Sequence, residues 1–144
     1  MMKTTLLSLL LCTLGISFLI CDQPVWAKET GDPGDYYMEA LEALEVGDHY
    51  EHRKLLKKAA MAGHTLATYD YGEWMYIDAM GKNDLRGMQA GLKGCQKGLK
   101  MLKKEADEFD DELYRETYKR CLKNYKERCF MLNELIVIQK SLSY

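Results

Sequence analysis

From Asp35 onward, apolar residues recur along the chain at steps of three and four, the spacing that gathers them on one face of a helix. No run of alternating β-branched residues marks a strand, and the tyrosines fall at helical spacings. Both prolines, Pro24 and Pro33, precede Asp35, so residues 28–34 read as a flexible lead-in and everything after them is free to be helical. Five helices are predicted. The first runs from about Asp35 to Val46, carries Tyr37, Ala40, Leu41 and Leu44, and stops at Gly47-Asp48. The second starts on Asp48 as N-cap and sets Leu55, Leu56, Ala59 and Ala60 on one face before Gly63. The third runs from about Thr65 to Ala79, with Leu66, Tyr69, Trp74 and Ile77 as bulky groups, and "GKND" breaks it.

Asp84 then caps a fourth helix with a stripe at Leu85, Met88, Leu92, Cys95, Leu99 and Leu102, the pattern of a helix packed along its length. Glycines in "GMQAGLKGCQKG" sit between the residues of that stripe, which points to close helix packing and not to a phosphate-cradling loop. After the acidic patch "EADEFDDE", a fifth stripe runs Tyr114, Tyr118, Cys121, Tyr125, Cys129, Leu132 and Ile136. It fits one helix over 110–142 or a pair joined near Asn124. A frame recurs through these elements: Asp48 precedes Ala59, Asp84 precedes Cys95 and Asp110 precedes Cys121 by 11 residues each, with frame offsets of 36 and 26. A period in that range is the mark of stacked helical units.

The N-terminal residues alter the setting. Lys3, an apolar run from Leu6 to Ile20 and "VWA" before Lys28 form the pattern of a secretory leader, residues 1–27. The run is shorter than the roughly 20 apolar residues of a membrane-crossing helix. Cys12 follows Leu11 and Cys21 follows Ile20, where lipidation needs a small residue. A periplasmic or secreted location is therefore expected, with no stable membrane insertion after cleavage and a single domain over 35–144. Loss of Lys3 and Asp22 keeps the net charge at −2, which gives no general drive toward nucleic acid or anionic membranes. The basic run Lys93 to Lys104 reads as a solvated face.

Cys95, Cys121 and Cys129 remain in an oxidising compartment. Antiparallel folding of helices four and five about Glu108 sets Cys95 opposite Cys121, the pair expected to form a disulfide. A break near Asn124 would instead let Cys121 reach Cys129; an unbroken helix holds those two about 12 Å apart. His49 and His52 stand three apart on one helix with Glu45, Asp48 and Glu51 nearby, a spacing compatible with a metal but common on charged surface helices. No nucleophile, metalloprotease or phosphate-loop motif occurs. The cluster Asp107, Glu108, Asp110, Asp111 and Glu112 reads as a solvated turn between helices. No catalytic residue, metal or cofactor is assigned.

"KKAAMAGHTLATYDYG", 57–72, resembles the core of a Sel1-like repeat, a relative of the tetratricopeptide repeat, through Lys58 to Ala60, Gly63-His64, Ala67, Tyr69 and Gly72. The preceding Gly47-Asp48-His49-Tyr50, with Ala40 upstream and Ala59 downstream, resembles the tetratricopeptide turn. The likeness covers about Tyr36 to Gly91. It departs from the pattern at His52, where a small residue is usual, at Tyr71, which replaces a leucine, and at Met75, with Tyr76 one step after the common tyrosine position. The resemblance implies an all-α stack of antiparallel helix pairs, a short solenoid ending in a long helical hairpin. It also implies binding of another protein on a concave face made by the first helix of each pair, here Tyr37, Leu41, Glu45, Tyr69, Glu73, Tyr76 and Ile77. Small exported proteins of this type include immunity proteins that neutralise a secreted toxin, the sharpest form of the expectation. An adaptor or envelope-assembly factor is the alternative, and a small cell-envelope enzyme is the rival from another class.

Overall fold

The computed structural model describes residues 31–143, which form five helices and no strand: α1 Pro33–Glu45, α2 His49–Met61, α3 Thr65–Gly81, α4 Leu85–Phe109 and α5 Glu112–Leu142. The expected leader lies outside the described residues, so they leave it untested. No helix among them is long and apolar enough to cross a membrane. The lead-in ends earlier than expected. Asp32 accepts the Gly34 N–H at 2.7 Å and Pro33 is the first helical residue, a position where a missing N–H costs nothing. Helix α5 is unbroken through Asn124.

Three of the four turns share one design. Gly47, Gly63 and Asn83 hold the left-handed conformation, at φ 79°, 93° and 53°, and glycine or asparagine adopts it at least cost. The next residue in each case, Asp48, His64 or Asp84, donates its N–H to a carbonyl five residues back, on Ala43, Ala59 and Ala79. Its side chain then caps the following helix by accepting the N–H of Glu51, Ala67 or Gly87. The Asp48 and Asp84 turns stand 36 residues apart, and Leu56 with Leu92 and Ala59 with Cys95 are buried pairs at that same offset. The third frame slips by one. Asp110 is the left-handed residue after α4, and Asp111 is the cap of α5.

Helices α3 and α4 meet along a seam of small residues. A Cβ added at Gly72 would stand 2.4 Å from the Cys95 nitrogen, one at Gly91 2.5 Å from the Tyr76 nitrogen, and one at Gly98 2.6 Å from the Tyr69 nitrogen. Residue numbers rise on α3 as they fall on α4, so the two run antiparallel with backbones nearly touching. The close packing expected of the α4 glycines is what they provide. One core cluster joins α1, α2 and the start of α3 through Ala40, Leu55, Leu56, Ala59 and Ala67. Two others join α3, α4 and α5, one around Tyr69, Cys95, Leu99, Leu102 and Cys121, the other around Tyr76, Met88, Leu92 and Leu132.

Candidate functional site

The expected binding residues fall on α1 and α3, and α5 lies against the same side of α3. Tyr37 on α1 is half-buried, stacks on the His64 ring at 4.4 Å and donates its hydroxyl to Asp70 on α3 at 2.8 Å. Burial holds the Asp70 carboxyl above its ordinary range; the Tyr37 hydrogen bond and the Arg120 charge pull it back, and Glu73 pushes it further up. Tyr37 is itself raised, first by burial and then by Asp70. One turn along α3, Glu73 accepts from Arg128 Nε at 2.9 Å and Nη2 at 2.7 Å. Both side chains are 22% exposed, shielded enough for this forked pair to fix its geometry. Leu41 is half-buried, Ile77 is 46% exposed and Glu45 is exposed at the end of α1. The expected residues thus lie on α1 and α3, with the Tyr37–Asp70 bond joining those two helices and the Glu73–Arg128 pair joining α3 to α5.

Tyr69 and Tyr76 do not lie on the surface. They are 1% and 0% exposed and form the α3 side of the core against α4 and α5. Their hydroxyls reach α5 backbone carbonyls, Tyr69 to Cys121 at 2.8 Å and Tyr76 to Arg128 at 3.2 Å. Both links join residues 52 apart, so α3 and α5 run parallel. The two tyrosines that looked like contact anchors for a partner are anchors for the chain's own last helix. Glu73 is tied to that helix as well, so it too serves the fold.

The cysteines also depart from expectation, since all three thiols are free. Cys95 and Cys121 do share a core cluster, as antiparallel folding of α4 and α5 requires. Tyr69 touches both residues: the Cys95 thiol donates to its carbonyl at 3.7 Å, and its hydroxyl donates to the Cys121 carbonyl. Burial pushes the Cys95 thiol up to about 12 and that of Cys121 up to about 11, so both stay protonated near neutrality and are poor nucleophiles. The alternative Cys121–Cys129 bond is closed off by the continuous α5, whose rise separates them by about 12 Å.

The histidines have separate structural roles. His52 Nδ1 donates to the Ala40 carbonyl at 2.6 Å, filling the place where a small residue was expected, while His49 is exposed. No group of three metal-binding side chains converges among the described residues. The acidic patch at 107–112 is exposed and paired locally, Lys103 with Asp107 at 2.8 Å and Arg115 with Asp110 and Glu112.

Sequence reasoning missed Asp70, Arg120 and Arg128, because a charge on a helix surface shows its partner only once the next helix is placed. It also missed a second aromatic surface where α2 meets α3. The Arg53 guanidinium lies 4.8 Å from the Trp74 ring and 5.7 Å from that of Tyr50, and Trp74 stacks on Tyr71 at 6.1 Å. Comparison with known protein families, curated proteins and solved structures finds no match to this chain.

Proposed function

We propose that this chain is an exported protein-binding module of the Sel1-like, tetratricopeptide-like type, working in the periplasm or outside the cell with no chemistry of its own. Its partner is another protein, a secreted toxin that it neutralises or an envelope protein that it helps to place. The observation that carries this reading is the Glu73–Arg128 pair held between α3 and α5, with Ile77 exposed one turn further along α3 and Leu41 half-buried on α1. A pre-positioned charge pair with apolar side chains on the same helices suits a protein contact, since the charges need little further ordering on binding. Turns and buried residues that repeat at a 36-residue offset support the repeat reading.

The protein purified from periplasm serves as bait in periplasmic extract, beside variants Leu41→Asp and Ile77→Asp checked for folding by circular dichroism. The expected result is a partner held by the unmodified protein and released by both variants. Capture that neither variant weakens overturns these residues as the binding face. The immunity and adaptor versions separate at the next step: a neutralised toxin loses activity when bound, and an adaptor's client keeps it.

A further inference from the structure

Helix α5 carries two stripes. The inward one, through Tyr118, Cys121, Tyr125, Cys129, Leu132 and Ile136, is packed in the core. The outward one advances by the same steps of three and four through Lys119, Lys123, Lys126, Phe130, Glu134 and Val137, all exposed. Its first half is basic. Lys119 pairs with Glu116 at 2.6 Å, and no ion pair among the described residues involves Lys123 or Lys126. The three lysines, with Leu122 and Glu127, line a shallow cleft of about 310 Å³. Its second half is apolar: Phe130 is 66% exposed, Val137 62%, and Ile138 beside them 51%. A last helix in a stack is expected to turn a polar face to water, and in the second half of this one Phe130, Val137 and Ile138 are exposed beside Glu134.

We propose that the outward face of α5 docks an amphipathic helix of another protein, one with acidic residues against Lys119, Lys123 and Lys126 and apolar residues against Phe130, Val137 and Ile138. Lys123 and Lys126, which have no ion-pair partner, call for carboxylates beside the exposed Lys119–Glu116 pair, and the apolar half supplies the buried area that a charge contact alone lacks. A second copy of this chain does not fit. Parallel pairing lays lysines on lysines, and antiparallel pairing of the apolar halves sets Glu134 against its own copy between Phe130 and Val137. This surface shares no residue with the binding face expected on α1 and α3 and stands or falls without it.

The test uses two labelled synthetic helices followed by fluorescence anisotropy. One carries glutamates along half its face and leucines along the other half; the second has lysines in place of the glutamates. The glutamate helix is expected to bind saturably and to weaken with added salt. A triple variant, Lys119→Glu with Lys123→Glu and Lys126→Glu, should lose at least about tenfold in affinity for it and gain the lysine helix instead. Phe130→Asp with Val137→Asp should abolish both, while Ile77→Asp should change neither. Equal binding of the two helices by the unmodified protein, or binding of neither, overturns the proposal. So does co-sedimentation with phosphatidylglycerol vesicles in preference to the peptide, or a dimer in light scattering that Phe130→Asp dissolves.

Discussion

The α3–α4 seam and the attachment of α5 hold neighbouring helices by opposite means. Along the seam the backbones approach so closely that Gly72, Gly91 and Gly98 have no room for even a methyl group. Contact there is continuous and depends on shape. Helix α5 is held further out, by two tyrosine hydroxyls reaching its carbonyls, one forked ion pair and a shared apolar stripe. That attachment is made at a few points, and half of the helix circumference stays in water. A seam of touching backbones cannot shift without breaking, whereas a helix held by long side chains can yield locally. The difference places the tightest packing in α3–α4 and leaves α5 as the helix held at fewer points.

The largest expected effect breaks the seam. In Gly91→Ala the new Cβ meets the Tyr76 nitrogen and the Gly72 carbonyl, backbone atoms that have no rotamer by which to move aside. Overpacking of this kind costs about 1–3 kcal/mol, enough to outweigh the roughly 0.5–1 kcal/mol that alanine gains over glycine in a helix. Gly81→Ala is the matched control, because a Cβ there meets nothing within 4 Å. Urea unfolding should show Gly91→Ala destabilised and Gly81→Ala unchanged or slightly stabilised. Equal midpoints for the two would mean that the helices can separate at little cost, and the contrast with α5 would be lost.

A smaller effect tests the point attachment. Tyr69→Phe keeps the ring in the core and removes only the hydroxyl bond to the Cys121 carbonyl, a loss of about 0.5–1.5 kcal/mol. If α5 is held at discrete points, amide hydrogen exchange should quicken around residues 118–128 more than along α3 and α4. A uniform change across all five helices would show one cooperative unit and sink the distinction.

These contrasts explain what could be read from the chain alone. The caps Asp48 and Asp84, the all-α class and the packing role of the α4 glycines were legible because each is a local signal, a turn residue or a position within a stripe. Pro33 was misread because proline serves a loop and a first helical turn equally well. Tyr69 and Tyr76 were misplaced for a different reason. Helical spacing groups them with Glu73 on one side of α3, but it cannot say that the chain's own α5, 52 residues on, covers that side. The cysteine pair shows the same limit. Antiparallel folding correctly brought Cys95 and Cys121 into one cluster, yet Tyr69, which makes a hydrogen bond to each of them, comes from α3, a third helix absent from the two-helix geometry.

The smallest effect concerns the one repeated turn capped by an imidazole. Asp48 and Asp84 cap with carboxylates, but α3 is capped by His64, whose Nδ1 must be unprotonated to accept the Ala67 N–H. Burial lowers the His64 pKa below its ordinary 6.5, opposed by the Glu105, Asp70 and Asp32 charges. A group with a depressed folded pKa lends stability above the unfolded value and loses it as pH falls through the folded one. The thermal midpoint should therefore decline as pH drops from 7.5 toward 5.5, by no more than the loss of a cap, about 1 kcal/mol. Asp70 acts with the opposite sign: burial raises its pKa, so the cost of its buried charge is relieved as pH falls through the folded value. His64→Asn supplies a side-chain oxygen that accepts the same bond and does not titrate; it should flatten the profile, while loss of the stack on Tyr37 lowers the midpoint at every pH alike. The pH sensitivity of this turn would then be traceable to one ring nitrogen. A variant whose slope matches the unmodified protein would move that sensitivity elsewhere and leave the cap at the start of α3 as fixed as its aspartate counterparts.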